Sequence, residues 1–214
     1  MPQQTTPAEA WQSLREGNDR FVAGTVAHPS QDADRRADLS AGQQPFAVLL
    51  GCSDSRVAAE IIFDRGLGDL FVVRTAGHVS DATVLGSVEY GVAVLGAPLV
   101  VVLGHDSCGA IAATQEYLRT GAEPPGHIRS IVDRVRPSIA DHADLAPDDV
   151  LAEHVRYTVR ALLEDSVAVR TAVAEGRCAV VGTTYRLAEG RVGVVAARGP
   201  IDVAETAERT DGSI

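Results

Sequence analysis

Lysine is absent from this sequence, and all 19 of its basic residues are arginine. The chain therefore has neither a lysine to form a Schiff base nor the lysine that holds phosphates in a P-loop. Acidic residues number 29, so the formal charge is −10, and such a surface repels nucleic acids and anionic membranes. We expect no nucleic-acid partner and no membrane partner.

Cysteine is scarce as well, with three residues in 214. A number this small and odd excludes a fully paired disulfide scaffold of the secreted type. The longest hydrophobic run, residues 91–104, contains glycine and proline and is shorter than the ~20 apolar residues that span a bilayer. Residues 1–9 are polar and lack the pattern of a targeting segment. These absences predict a cytoplasmic protein whose thiols are reduced.

The residues that are present indicate an ordinary globular chain, since 45% are hydrophobic and 22% are charged. We expect a single domain over residues 1–214. Within it, residues 1–44 are predicted to form an N-terminal helical arm and its connection, and residues 45–214 an α/β core.

The predicted arm opens on a helix signal. Thr6, Pro7 and Glu9 have the spacing of an N-cap, a first helical residue and a capping-box glutamate. The helix should end near Gly24, because glycine is the preferred residue after a helix. Residues 32–39 are predicted to form a short helical turn in an otherwise exposed connection.

Four short apolar runs have the continuous, β-branched composition of strands that are buried on both faces of a parallel sheet. Helical patterns separate them, which is typical of strand–helix–strand units. The fold class that follows is α/β, with a central, mostly parallel sheet flanked by helices. The predicted strands are residues 46–51, 70–74, 99–104 and 179–185. The predicted helical segments are residues 81–95, 109–118 and 147–175.

Chemically active residues follow two of these strands directly. The first strand leads into Cys52, Asp54 and Arg56, and the third leads into His105 and Cys108. Open α/β sheets bind ligands beyond the carboxyl ends of their strands, at the point where the strand order reverses. Two thiolates and one imidazole match the preference of zinc, and three protein ligands leave one position open, as in catalytic sites. The pattern therefore predicts a catalytic zinc centre.

Asp54 and Arg56 lie on the same loop as Cys52, so both side chains can reach the metal region. Two arrangements stay open: the carboxylate occupies the fourth zinc position, or Arg56 pairs with it and holds it off the metal. In the second arrangement, Asp54 accepts a hydrogen bond from zinc-bound hydroxide. A purely structural ion pair also fits the pattern. Asp106 either caps the following helix or makes a hydrogen bond behind the ligands.

Together, Cys52-x-Asp54-x-Arg56 and His105-x-x-Cys108 resemble the paired motifs of the β-class carbonic anhydrases. The similarity extends over nearly the whole chain and is closest to actinobacterial members. The resemblance implies one Zn²⁺ per chain, bound by Cys52, His105 and Cys108. Asp54 and Arg56 would be the catalytic dyad, and Asp54 would become a fourth metal ligand only in a closed form of the site.

The same resemblance implies reversible hydration of CO₂ to bicarbonate and a proton, by attack of zinc-bound hydroxide. Gln43, nine residues before Cys52, matches a glutamine that hydrogen-bonds substrate. Phe71 and Tyr90 would line an apolar CO₂ pocket, although both also fit plain core positions. All three would come from the neighbouring subunit, because members of this class form dimers or tetramers whose sites lie at the subunit interface. The implied partners are CO₂ or bicarbonate and further copies of the chain.

Two other functions are compatible with the same residues. One is a non-catalytic zinc-thiolate sensor that releases its metal when Cys52 and Cys108 oxidise. The other is a hydrolase of a related small molecule, carbonyl sulfide or CS₂. A dinucleotide-binding function is excluded because no G-x-G-x-x-G follows a strand. Cys178, which has no histidine nearby in sequence, is predicted to be a packing residue.

Overall fold

A five-stranded sheet forms the centre of the computed structural model, which describes residues 5–142 and 145–202. The strand order is β2-β1-β3-β4-β5, with β1 to β4 parallel and β5 antiparallel to β4. The strands are β1 Ala47–Cys52, β2 Leu70–Thr75, β3 Leu99–His105, β4 Ala179–Tyr185 and β5 Val192–Arg198. This architecture confirms the predicted α/β class. Residues 1–4, 143–144 and 203–214 of the predicted domain lie outside the described residues.

All four predicted strands are confirmed, but two features of the sheet differ from the prediction. The burial of β1 and β3 is complete, whereas β2 is only half-buried. The expectation of two buried faces is wrong for β2 because it lies at the edge of the sheet. The half-buried strand β5, at the other edge, was not predicted.

Helices cover both faces of the sheet. In the first helix, Thr6 and Glu9 form the predicted capping box and Gly24 is the C-cap. The predicted helical turn at 32–39 is confirmed as a six-residue helix with Asp32 as its N-cap. The helices are α1 Pro7–Ala23, α2 Ala33–Asp38, α3 Ala59–Ile62, α4 Ala82–Glu89, α5 Gly109–Thr120, α6 Ile128–Ile139, α7 Pro147–Asp165 and α8 Val167–Ala174. Of these, α3 and α6 were not predicted.

Two predicted helical segments are interrupted in the structure. The segment 147–175 is divided between α7 and α8, because the Ser166 hydroxyl accepts the backbone N–H of Val169 and starts a new helix. The segment 81–95 begins as α4 and ends as a wider π-helical turn, Tyr90–Val94. Such π turns are rare and often occur at functional positions.

The hydrophobic core has two layers, one on each face of the sheet. Alternate residues of β1 point to opposite layers: Val48 and Leu50 contribute to one, Ala47 and Leu49 to the other. This explains why the strand is a continuous apolar run rather than an alternating one. Among the described residues, no helix has the length and apolar composition needed to cross a bilayer.

Candidate metal centre

The strand order creates a crevice between β1 and β3. From β1 the chain continues to β2 on one side, while β3 adds on the other side, so the topology reverses between these two neighbouring strands. Cys52 is the last residue of β1, His105 is the last residue of β3, and Cys108 is the N-cap position of α5. The predicted ligands therefore meet at the carboxyl edge of the sheet, where the parallel strands end.

The three side chains have the geometry of a metal site. One ligand atom each from Cys52, His105 and Cys108 lie within 4.8 Å of one another, and all three residues are buried. The Nδ1 of His105 is 2.7 Å from the backbone oxygen of Asp106. Since that oxygen can only accept, Nδ1 carries the proton and the lone pair lies on Nε2.

The Nε2 atom of His105 is buried and makes no hydrogen bond to any residue in the described part of the chain. An unpartnered buried polar atom is costly, and here it is accompanied by two sulfurs. Two sulfurs and one nitrogen are the ligand types that zinc prefers. The residues present therefore fit a Zn²⁺ ion, with His105 binding through Nε2.

The two thiols have different surroundings. The backbone N–H of Gly77 donates to the Sγ of Cys52 over 3.3 Å. Hydrogen bonding between the two thiols lowers the pKa of Cys52 and raises the pKa of Cys108. Metal binding requires both as thiolates, so loading the site releases protons.

Arg56 holds the carboxylate of Asp54 in place. The Nε of Arg56 donates to Oδ1 over 2.9 Å and its Nη2 donates to Oδ2 over 2.8 Å, while the backbone N–H of Arg56 also donates to Oδ1. The Oδ2 of Asp54 lies 3.9 Å from the Nε2 of His105. Hydrogen bonding to Arg56 keeps the pKa of Asp54 well below its usual value. In the structure, the carboxylate of Asp54 is therefore paired with Arg56.

Two supports of this loop could not be read from the sequence motifs. Arg74 on β2 donates to the backbone oxygens of Cys52 and Asp54, over 2.8 and 2.7 Å. The carboxylate of Asp106 accepts the N–H of Leu187 at 3.1 Å and so ties the second loop to the end of β4. Asp106 does not cap α5 through its side chain; its contribution behind the ligands is its backbone oxygen.

The structure does not bring the predicted substrate-binding residues to this chain's own ligand cluster. Gln43 is exposed and lies before β1, so the six residues of β1 separate it from the ligand cluster. Phe71 pairs in register with Val48, near the amino end of β1, and its ring centroid is 6.0 Å from that of Tyr90. Tyr90 begins the π-helical turn and is 47% exposed.

An open three-ligand site of this kind at the switch point of a parallel sheet is the arrangement of a zinc enzyme. Comparison with known proteins agrees with this. The sequence profile of the carbonic anhydrase family matches residues 47–192. Carbonic anhydrase 2 of Mycobacterium tuberculosis is 54% identical over 191 residues, covering 87% of this chain and 92% of that protein.

A second relative, the carbonic anhydrase of Mycolicibacterium smegmatis, is 56% identical over 191 residues, covering 88% of this chain and 93% of that protein. A tetrameric β-carbonic anhydrase from the ascomycete Sordaria macrospora shares the fold, with a TM-score of 0.69 and 23% identity over 88% of this chain and 98% of that one. The chain therefore belongs to the β class of the carbonic anhydrase family.

Proposed function

We propose that this protein catalyses the reversible hydration of CO₂ to bicarbonate and a proton, with one Zn²⁺ per chain bound by Cys52, His105 and Cys108. The observation that carries the proposal is the buried, unpartnered Nε2 of His105 beside two thiols, with the Asp54–Arg56 pair next to it. Close similarity to two mycobacterial carbonic anhydrases supports the same activity.

Zinc in such a site lowers the pKa of a bound water from about 15.7 to roughly 7, which supplies a nucleophile near neutral pH. The chain's own residues provide the orientation. The backbone oxygen of Asp106 fixes the ring of His105, and Arg74 fixes the loop that contains Cys52. A rigid ligand set costs little reorganisation during the reaction.

Asp54 is the hydrogen-bond acceptor of the reaction. Arg56 keeps the carboxylate ionised and in a fixed position 3.9 Å from His105. From there Asp54 would accept a hydrogen bond from the attacking nucleophile and so direct a lone pair at the carbon of CO₂. Asp54 would become a fourth metal ligand only in a closed form of the site, in which this pair separates.

Substrate contacts come from a second copy of the chain. At about 3.3 Å per residue, β1 alone separates Gln43 from its own metal edge by about 16 Å, so this residue cannot contact substrate at the site of the same chain. We place Gln43, Phe71 and Tyr90 of the partner subunit around the CO₂ pocket. The active protein is therefore a homodimer or homotetramer with its sites at the subunit interface.

An exposed apolar surface supports this association. Val94 ends the π-helical turn and Val167 begins α8, and both are 65% exposed. The turn packs against α8, so these residues and Tyr90 belong to one region. Exposed apolar residues grouped in this way are typical of an interaction site. Residues 1–44 then act as an arm of the single domain 1–214.

Free cysteines support a cytoplasmic location. Cys52 and Cys108 bind metal only as thiolates, and the three cysteines at residues 52, 108 and 178 are free. Such thiols stay reduced in the cytoplasm, where we place the protein.

Stopped-flow CO₂ hydration combined with a zinc assay tests the function. We expect one zinc per chain and rapid hydration near and above neutral pH. Full zinc occupancy in the reduced protein without hydration between pH 7 and 9 would overturn the proposal. If turnover is absent while mild peroxide releases the zinc, the protein is a sensor instead. A higher kcat/KM for carbonyl sulfide or CS₂ than for CO₂ would assign it to those substrates.

A further inference from the structure

The backbone turn that contacts the Cys52 sulfur is hydrogen-bonded on its other side to a buried histidine that the reaction does not use. The turn is Ala76–His78, between β2 and α4. Gly77 lies within it and faces two ways. Its N–H donates to the Sγ of Cys52 over 3.3 Å, and its backbone oxygen is 2.8 Å from the Nε2 of His154 on α7.

The turn needs such support because its backbone is strained. Gly77 has φ 67° and ψ 23°, and His78 follows with φ 42°. Both values are left-handed, and a side chain in this region is disfavoured. A Cβ on Gly77 would lie 2.7 Å from the Cβ of Ala110. Because the Gly77 N–H donates to a sulfur, the hydrogen bonds of a regular helix or sheet do not fix its direction.

His154 is itself oriented by its surroundings. The Gly77 oxygen can only accept, so the proton lies on Nε2 and the lone pair on Nδ1. The Oγ of Ser138 on α6 lies 2.7 Å from Nδ1 and 2.5 Å from the backbone oxygen of Val135, so two acceptors share its single proton. The ring of His78 stacks on that of His154 with centroids 4.2 Å apart. His154 is buried, so water does not compete for these bonds.

We propose that His154 is a positioning residue for the metal centre, which acts through Gly77 to aim a backbone N–H at the Cys52 thiolate. The inference rests on the proposed zinc site but concerns residues outside the ligand set. A sulfur that accepts an N–H bond from a fixed turn is held in the orientation in which it binds metal. Ser138 supports the same function by fixing the imidazole.

Two substitutions separate this role from simple packing. His154→Leu fills the space but has no donor for the Gly77 oxygen, whereas His154→Gln retains an N–H donor. Thr158→Val is the matched control: Thr158 is buried on the same helix, and its hydroxyl donates to the backbone oxygen of His154. The measurements are the rate of zinc transfer to a chromogenic chelator and the thiolate-to-metal charge-transfer band of the Co²⁺-substituted protein.

We expect His154→Leu to release zinc about 10-fold faster or more, the usual effect of removing support behind a metal ligand. Its cobalt band should move to longer wavelength, because a thiolate without the N–H bond gives up electrons more easily. His154→Gln and Thr158→Val should stay close to the wild type in both measurements. If His154→Leu folds and matches Thr158→Val in both, the proposal is wrong.

Ser138→Ala keeps the test decisive if His154→Leu does not fold. It removes the group on Nδ1 and should release zinc faster than Thr158→Val; equal rates would overturn the proposal. Failure of this inference is distinct from failure of the proposed function. A wild-type protein that binds no zinc contradicts the function, whereas zinc binding that is indifferent to position 154 contradicts only the positioning role.

Discussion

The carboxyl edge of the sheet, where the parallel strands end, and the amino edge, where they begin, both contain buried cysteine. The groups around the thiols differ between the two. At the carboxyl edge, Cys52 and Cys108 are 5% and 6% exposed; at the amino edge, Cys178 is 1% exposed, directly before β4. Cys52 has a backbone N–H, a second thiol and an imidazole around it. The Cys178 thiol donates to the backbone oxygen of Ala179 over 3.4 Å.

This difference shows that burial does not decide the chemistry of a cysteine. At Cys178, burial outweighs the lowering effect of Arg177 and of backbone hydrogen bonds and raises the pKa of the thiol to about 12, which disfavours the thiolate near neutral pH. At Cys52, hydrogen bonding from Cys108 outweighs burial and lowers the pKa. Reactivity and metal binding follow the thiolate, and the loops at the carboxyl edge supply the groups that stabilise it.

Substituting a cysteine at each edge should give the largest difference in zinc content and activity. Cys108→Ser removes a zinc ligand and should lower kcat/KM for CO₂ hydration by at least about 10³-fold, because without zinc the water pKa is no longer near neutral. Cys178→Ser, its matched control, should retain one zinc per chain and nearly full activity. Zinc content and stopped-flow hydration check both variants. Loss of zinc from Cys178→Ser, or its retention in Cys108→Ser, would break the comparison.

Two arginine-paired carboxylates extend the comparison to charge. Asp54→Asn should lower kcat/KM about 10²-fold, which is typical of losing a positioned proton acceptor, while zinc content and unfolding midpoint stay unchanged. Asp64→Asn should leave kcat/KM near the wild-type value. Equal activity losses in the two variants would show that Asp54 is only a structural partner of Arg56.

Asp64 is the structural counterpart, and its effect should appear in stability. Its carboxylate accepts the N–H groups of Ala27 and His28 and pairs with Arg20. Burial alone would raise its pKa, but these bonds outweigh burial and lower the pKa to about 2. Asp64→Asn should therefore lower the free energy of unfolding by about 2 kcal/mol at neutral pH.

The pH dependence has a definite sign. Because the folded-state pKa is below the unfolded one, the stabilisation is present above pH 4 or so and disappears as the pH falls toward 2. Urea unfolding of wild type and Asp64→Asn at pH 7 and pH 3 should thus show a smaller difference at pH 3. A constant or growing difference would contradict the assignment.

The smallest effect concerns the exposed apolar region. Tyr90→Ala should lower kcat/KM by about 10-fold or less, through a weaker CO₂ pocket and weaker association. Tyr157→Ala is the control, since Tyr157 lies on α7 and packs with Arg160. Hydration rates and sedimentation velocity measure both outcomes. If the wild-type chain sediments as a monomer and is fully active, the proposed site at the subunit interface is wrong.

The sequence predicted most of the site because its ligands lie next to strand ends. Continuous apolar runs located β1 and β3, and the donors Cys52, His105 and Cys108 follow them directly, so topology alone brings them together. The Asp54–Arg56 pair is equally local. The helix at Pro7–Ala23 was predictable for the same reason, from adjacent capping residues.

What could not be predicted depends on contacts between distant residues. Gly77 and His154 are far apart in the chain and meet only in the folded core. Arg74 reads as an ordinary strand residue until β2 is paired with β1. The edge strand β5 follows from packing rather than from local propensity, which tertiary contacts override. The break at Ser166 is different, because the N-cap bond from Val169 that starts α8 is local.

Zinc binding by Cys52, His105 and Cys108 can be checked by X-ray absorption at the zinc edge of the reduced protein, loaded with one zinc per chain. We expect two sulfur neighbours at about 2.3 Å and the remaining nitrogen or oxygen neighbours at about 2.0–2.1 Å. In Cys178→Ser, which should keep its zinc, the two sulfurs should remain. A shell without sulfur, or one that changes in Cys178→Ser, would show that these three residues are not the ligands.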